Sequence, residues 1–384
     1  MPTGTGSERG TRAECGHVKA GVSALRLSAV DIRNVRILAQ AALEPSEINV
    51  LFGPNGSGKT SVLEAIHYLC TGRTFAGGRV EALVRTGAER LRVVGRGMDA
   101  RGRMHRFGVE QGRRGGRHMR LDGRTVDRIA EIAVYLPVVA LHPGSHEILA
   151  GGPSERRRLL DWGLFHVEQG YLAQWQRYRR VLVQRNASLQ RRRSDSEVAI
   201  WEPELGAAAE AIDRSRRAYV EGLQAEINRV GPTLLREGEG IELAYRPGWP
   251  EGTALSDVLR ERRSADRERG WTGVGAHRAD LILRLDGKDT RNRVSRGQQK
   301  LLVYLLRLAQ LHDLVAKGGR PMLLLDDLAA ELDADHRERV MAEAVATGGQ
   351  VFVTALEPDR VPVAADCSPA WFHVEQGQVR EVVQ

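Results

Sequence analysis

The segment Gly53-Pro54-Asn55-Gly56-Ser57-Gly58-Lys59-Thr60 constrains this chain more than any other. It meets the pattern G-x-x-x-x-G-K-[ST] through Gly53, Gly58, Lys59 and Thr60. An apolar run, Ile48 to Phe52, precedes it, and Val62, Ala65, Ile66 and Leu69 follow at helical spacing. A strand, a glycine-rich turn and a helix N-terminus in that order make a phosphate cradle. The glycines let successive backbone N–H groups turn inward, and the helix dipole adds its attraction. The sequence therefore predicts a nucleoside triphosphate site. Pro54, Asn55, Gly56, Ser57 and Ser61 are expected to line it, Lys59 to reach the β/γ oxygens, and Thr60 to ligate Mg²⁺.

The rest of the composition narrows the setting. A chain of 384 residues with 42% hydrophobic content holds two or three domains and a sizeable core. No apolar run approaches the ~20 residues that cross a bilayer, and no apolar segment near the N-terminus reads as a secretory signal. Residues 1–22 are polar and Gly-rich and are expected to be a disordered tail. Cys15, Cys70 and Cys367 lie too far apart for a metal pattern or a disulfide framework, which suits a reducing cytoplasm. The net charge is +8, which favours a polyanionic partner, and nucleic acid is the commonest. Only five basic residues are lysine (Lys19, Lys59, Lys288, Lys300, Lys317), and an Arg excess of this kind is also what a GC-rich genome produces.

Along the chain, residues 25–52 read as strands. Residues 79–128 read as an antiparallel meander with a tight turn at Asp122-Gly123. Val134 to Leu141 reads as a buried strand. Helical spacing governs 154–229, interrupted at Pro203, and strand-like runs return at 281–285, 322–325 and 351–353. The hexapeptide FHVEQG occurs at 165–170 and again at 372–377, with flanks that do not match, so it is taken as coincidence.

Met322 to Leu325 closes on Asp326-Asp327, as the second half of a P-loop site should. Asp326 is expected to hold the Mg²⁺ shell and Asp327 to polarise the attacking water. Upstream, Ser295-Arg296-Gly297-Gln298-Gln299 resembles the ABC-ATPase signature with one glycine replaced by arginine. Ser295 is an N-cap, Gly297 permits close backbone approach, and Gln298 opens a helix with Leu301, Leu302, Leu305 and Leu308 on one face. An ordinary capped core helix is the competing reading of the same residues. Glu331-Leu332-Asp333 resembles the D-loop, and Arg33 stands where related heads carry a phosphate-contacting arginine. The fold class expected is α/β: an ABC-type P-loop ATPase head with an antiparallel β lobe and a short helical arm inserted between P-loop and signature. Its segments are the head at 23–153, the arm at 154–270 and the head again at 271–384.

The 235 residues from Thr60 to Ser295 are too many for a transporter ATPase subunit. The helical part lacks the sustained heptads of a long coiled coil. LEAIHYLCTGRTF (63–75), GGPSERRRLLDWGLFHVE (151–168), RYRRVLVQRNASL (177–189), VSRGQQK and LLLDDLAAELD resemble the RecF family of SMC-like ABC-type ATPases. GVGAHRADL (273–281) does too, with Ala276 and Ala279 departing from the usual proline and aspartate. There is no evident Q-loop glutamine near His142-Pro143, and Thr354-Ala355 stand where transporters carry a histidine. The resemblance implies an ATP- and Mg²⁺-dependent DNA-binding protein of recombinational repair and replication. Such a protein forms an ATP-dependent homodimer on double-stranded and gapped DNA, has weak DNA-dependent ATPase activity, and acts with RecO and RecR to load RecA. In such a dimer Ser295, Gly297 and Gln298 would meet the γ-phosphate held by the other subunit. A transporter ATPase subunit and an OLD-type nuclease head are the alternatives. The nuclease would need a metal domain after the acidic strand, where only 57 residues follow Asp327.

Overall fold

The computed structural model describes residues 25–75, 77–235, 240–291, 294–364 and 367–382. The expected tail at 1–22 and Cys15 lie outside these residues.

Strands β1 (Arg26–Val35) and β2 (Leu38–Leu43) form a hairpin, and β3 (Ile48–Phe52) runs into the P-loop. The helix Lys59–Thr71 follows. The meander then appears as β4 (Arg90–Met98), β5 (Met104–Gly112), β6 (Arg117–Leu121) and β7 (Arg124–Val126). Polar and apolar residues alternate along β4 and β5, so one face can be buried while the other meets water. These strands join the first hairpin in an antiparallel sheet ordered β2-β1-β4-β5-β6-β7. The β6–β7 turn places Asp122 at φ 51° and Gly123 at φ 84°, the two left-handed residues of a tight hairpin.

β8 is shorter than the apolar run suggests, covering Val138–Leu141. Pro137 follows a helical turn at Ala130–Ala133, and the chain becomes extended only beyond it. Helices Pro153–Val167, Tyr171–Gln190 and Glu202–Leu234 make the arm. Pro203 sits in the first turn of the third, where its missing N–H costs nothing. That helix outlasts the expected limit near Arg229. The segment 154–270 is not purely helical: β9 (Ile241–Arg246) lies within it and pairs with β10 (Asp280–Leu285), which pairs with β11 (Lys288–Asp289).

The helix Arg296–Ala316 leads to β12 (Met322–Leu325), followed by β13 (Gln350–Ala355), β14 (Ala370–Glu375) and β15 (Gln378–Val382). The second large sheet is ordered β15-β14-β3-β13-β12-β8. All its pairings are parallel except β14–β15. Its inner strands are covered on both faces, which is why β12 and β13 are apolar almost throughout. One core lies between the antiparallel sheet and the P-loop helix. The other joins the opposite side of the parallel sheet to Arg296–Ala316 and the arm helices. Buried Arg185 ties the arm together, 2.8 Å from Asp266 and 3.1 Å from Glu202.

Candidate functional site

In the parallel sheet β13 lies between β3 and β12. The P-loop and the acidic pair therefore emerge from the same carboxyl edge, where open α/β sheets bind ligands. Thr60 Oγ1 lies 2.9 and 3.0 Å from the two carboxylate oxygens of Asp326, which accept its hydrogen bond. Lys59 Nζ donates to the carbonyls of Gly53 at 2.7 Å and Pro54 at 2.9 Å. Burial lowers the Lys59 pKa, while the charges of Asp327 and Asp326 oppose that shift. Burial raises the Asp326 pKa, countered by hydrogen bonds from Thr354 and Thr60.

The loop is gripped from two sides. At Gly53 (φ +145°) a Cβ would stand 2.1 Å from the Val374 carbonyl oxygen, so β14 leaves no room for a side chain. The Gly377 N–H donates to the Ser57 carbonyl at 2.8 Å, so the β14–β15 turn clasps the loop. Gly58 (φ +116°) packs on Ile37 and Leu38 at the β1–β2 turn. Ser57 Oγ is buried and without a hydrogen-bond partner among the described residues. An orphaned donor inside a glycine-rich cradle is what a phosphate oxygen would satisfy. Ser61 is buried on the helix, while Asn55 and Gly56 are exposed at the loop tip. A hydroxyl and a carboxylate at contact distance are also the hard oxygen donors that Mg²⁺ prefers.

Asp327 follows in the left-handed region, φ 56° and ψ 44°. Its N–H donates to Thr354 Oγ1 at 2.8 Å, and Thr354 Oγ1 donates to Asp326 Oδ1 at 2.9 Å. The Tyr304 hydroxyl, on Arg296–Ala316, is buried without a partner among the described residues and lies in the field of Glu331, Asp326 and Asp327.

Ser295 caps its helix reciprocally with Gln298. Ser295 Oγ accepts from the Gln298 N–H at 3.2 Å, and Gln298 Oε1 accepts from the Ser295 N–H at 3.0 Å. Ser295, Gly297 and Gln298 are exposed, and a Cβ on Gly297 would meet nothing closer than Ser295 Oγ at 3.9 Å. The helix begins at Arg296, two residues before the expected start. Within one chain, then, the motif is a helix cap with open space in front of it.

The structure places Arg33 on the exposed face of β1, beside Asp31, Arg92 and Arg106. The arginine tied to the P-loop helix is Arg36, whose Nε is 2.8 Å from the buried Glu64 carboxylate. Glu64 also accepts from Thr74. His142, at the end of β8, accepts the Gly144 N–H through Nδ1 at 3.1 Å and stacks on Phe75. Neither Arg36–Glu64 nor the grip of β14–β15 had a local sequence signal, because each is a contact between distant segments.

The outer face of the antiparallel sheet carries Arg33, Arg92, Arg96, Arg106 and Arg120 against Asp31 and Glu110. Arg92, Arg106, Glu110 and Arg120 line a groove of about 480 Å³ together with Val94 and Gly108. Not every arginine is available to a ligand. Arg156 is buried against Asp280 at 2.8 Å, and Arg113 and Arg117 donate to backbone carbonyls.

A P-loop strand and an acid strand on one parallel sheet, an antiparallel lobe, and a capped helix leading into the acid strand define the SMC-type ABC ATPase head. The family model for the RecF/RecN/SMC N terminal domain matches residues 26–379. The DNA replication and repair protein RecF of Thioalkalivibrio sulfidiphilus is 40% identical over 357 residues, 92% of this chain and 99% of that protein. RecF of Azotobacter vinelandii is 40% identical over 362 residues, 93% and 99% of the two chains. The solved recombination mediator protein RecF with ATP, from the RecFOR pathway, superposes with a TM-score of 0.81 at 25% identity, covering 96% of this chain and all of that one. An SMC head bound to the C-terminal winged-helix domain of ScpA shares the fold, with a TM-score of 0.57 at 14% identity over 93% and 96% of the chains. The chain belongs to the RecF family. Among the described residues no helix is long and apolar enough to cross a membrane.

Proposed function

We propose that this chain is an ATP-driven DNA-binding switch of recombinational repair and replication, acting in the cytoplasm. The observation that carries the reading is the Thr60–Asp326 contact, which joins residues 266 positions apart at the mouth of a phosphate cradle. The cradle N–H groups and Lys59 bind the triphosphate. Thr60 and Asp326 would hold Mg²⁺, which supplies charge neutralisation on the phosphates when bound. Asp327 accepts a proton from the attacking water. The exposed cap Ser295-Arg296-Gly297-Gln298 reaches the γ-phosphate of a second copy, so ATP draws two chains together. Arg33, expected at the nucleotide, lies instead on the outer sheet face with Arg92 and Arg106, and is proposed to serve the polyanionic partner there.

The basic outer sheet face supports a polyanionic partner, and duplex DNA with a single-stranded gap is the substrate the family suggests. RecR with RecO is the proposed protein partner, and RecA loading the proposed outcome. Hydrolysis is slow and resets the switch. Sedimentation with Mg²⁺-ATP, with and without gapped DNA, tests the reading. A monomer–dimer shift that needs ATP, and retention of the dimer on gapped DNA, are expected. A chain that stays monomeric with ATP bound would refute the switch.

A further inference from the structure

The acids and the P-loop are separate sequence motifs on separate strands, and one side chain on the strand between them touches both acids. Thr354 is on β13, flanked by β3 through its Leu51 pairing and by β12. Thr354 is 1% exposed. The single hydroxyl proton goes to Asp326 Oδ1, and a lone pair of the same oxygen takes the Asp327 N–H. These bonds fix each other's direction: the proton cannot serve Asp327, whose N–H is itself a donor. Asp326 is thereby held from one side by Thr354 and from the other by Thr60. Asp327 is held at its N–H in a left-handed backbone conformation that L residues seldom adopt, and that conformation sets where its carboxylate projects.

We infer that Thr354 is a positioning residue for ATP hydrolysis: it sets the orientation of the Asp326 carboxylate and the backbone of Asp327 together, through one hydroxyl. The inference rests on the ATPase reading above. Valine is nearly isosteric and equally suited to a strand, so Thr354→Val removes both hydrogen bonds and little else. The Asp326 carboxylate would then keep Thr60 but lose its second anchor, and the Asp327 N–H would be buried without its partner. Nucleotide binding by the cradle does not pass through Thr354 and is left as it was.

The test compares wild type, Thr354→Val, Thr354→Ser and Thr354→Ala in steady-state ATP hydrolysis, with ATP affinity and melting temperature measured beside it. Residues that orient the groups around a metal typically carry roughly a tenfold to hundredfold effect on activity. Thr354→Val is expected to lose that much in kcat with KM and ATP affinity within about twofold of wild type, the pattern of a lost transition-state arrangement. Thr354→Ser, which keeps the hydroxyl, is expected to restore most of kcat. Wild-type kcat in Thr354→Val overturns the inference. So does a loss of kcat, ATP affinity and melting temperature together that serine does not rescue, which marks a merely structural threonine. If the valine chain does not fold, Thr354→Ala against Thr354→Ser carries the decision: a slow alanine and a fast serine support the role, and equal rates overturn it. Wild-type protein that neither binds nor hydrolyses ATP refutes the ATPase reading itself, and Thr354 then has no reaction to position.

Discussion

Lys300 Nζ and Glu331 Oε2 stand 2.8 Å apart, joining the helix that opens at Ser295 to the short turn that follows Asp327. The side chains are 29% and 11% exposed, so the pair is partly shielded from water. A double-mutant cycle with Lys300→Ala and Glu331→Ala in urea should give a coupling of about 0.5–1 kcal/mol, the upper part of the range for accessible pairs. Additive single effects would mean that the two segments are not linked through this contact.

Asp327→Asn keeps the shape of the side chain and removes the base. Loss of a general base costs ~10²–10⁴ in rate. Hydrolysis should fall by that order while ATP still binds, and gel filtration with ATP should then trap a stable dimer. Turnover at the wild-type rate would remove Asp327 from its proposed role.

Ser295→Arg separates a plain cap from a shared site. If Ser295 only caps its helix, the variant loses on the order of 1 kcal/mol of stability and still assembles with ATP. If it faces a second chain's phosphate, the expected product is a folded monomer that binds ATP and turns over almost none. Mixing it with Lys59→Met should recover partial ATPase activity, because one composite site is then intact. A normal ATP-dependent dimer of Ser295→Arg would overturn the shared site.

The outer face of the antiparallel sheet can be read by salt. If six phosphates are neutralised, log Kobs for duplex DNA should fall with log salt at a slope of roughly −5. Changing Arg33, Arg92, Arg106 and Arg120 to Gln should flatten the slope to roughly −2, at about 0.9 per contact. Arg156→Gln, which breaks the buried pair with Asp280, should lower stability and leave the slope alone. An unchanged slope in the fourfold variant would place the DNA elsewhere.

His67 gives the fold a dependence on acid. Burial pushes its pKa from 6.5 down to about 4, and its Nδ1–H donates to the Arg73 carbonyl at 3.0 Å. The unfolded chain takes up a proton as pH drops below 6.5, and the folded chain does not until pH nears 4. The contribution of His67 is therefore full above that window and is lost on descending through it. The urea midpoint should drop between pH 7 and pH 5, and by less in His67→Gln. Equal drops would assign the acid sensitivity to other groups.

Much of the site was legible because its pieces are local. A glycine-rich turn between a strand and a helix declares itself, and four apolar residues before two acids mark a strand that ends at a ligand. The hexapeptide FHVEQG shows where local reading stops. Phe165–Val167 finish the helix Pro153–Val167, whereas Phe372–Glu375 lie in β14 with Gln376-Gly377 as its turn. Neighbours decide the matter: the first copy extends an arm helix, and the second pairs with β3. Thr354 was visible only as the absence of a histidine, since its two partners lie 27 and 28 residues away in sequence. Arg33 lies in β1 and Arg36 in the turn that follows it, and only the packing of Glu64 tells which of them faces the P-loop helix.

The clasp of Gly377 on Ser57 has a consequence for the order in which the molecule is made. The two positions are 320 residues apart, so the ribosome delivers the phosphate loop long before the strand that grips it. At about 5–20 residues per second that interval is roughly 15–60 s. Through most of it the loop has its glycines and its lysine but not yet the acid at Asp326, and almost to its end it lacks the wall at Val374. A growing chain of this kind has no finished nucleotide site, and ATP can stabilise only molecules that have already closed the sheet around β3.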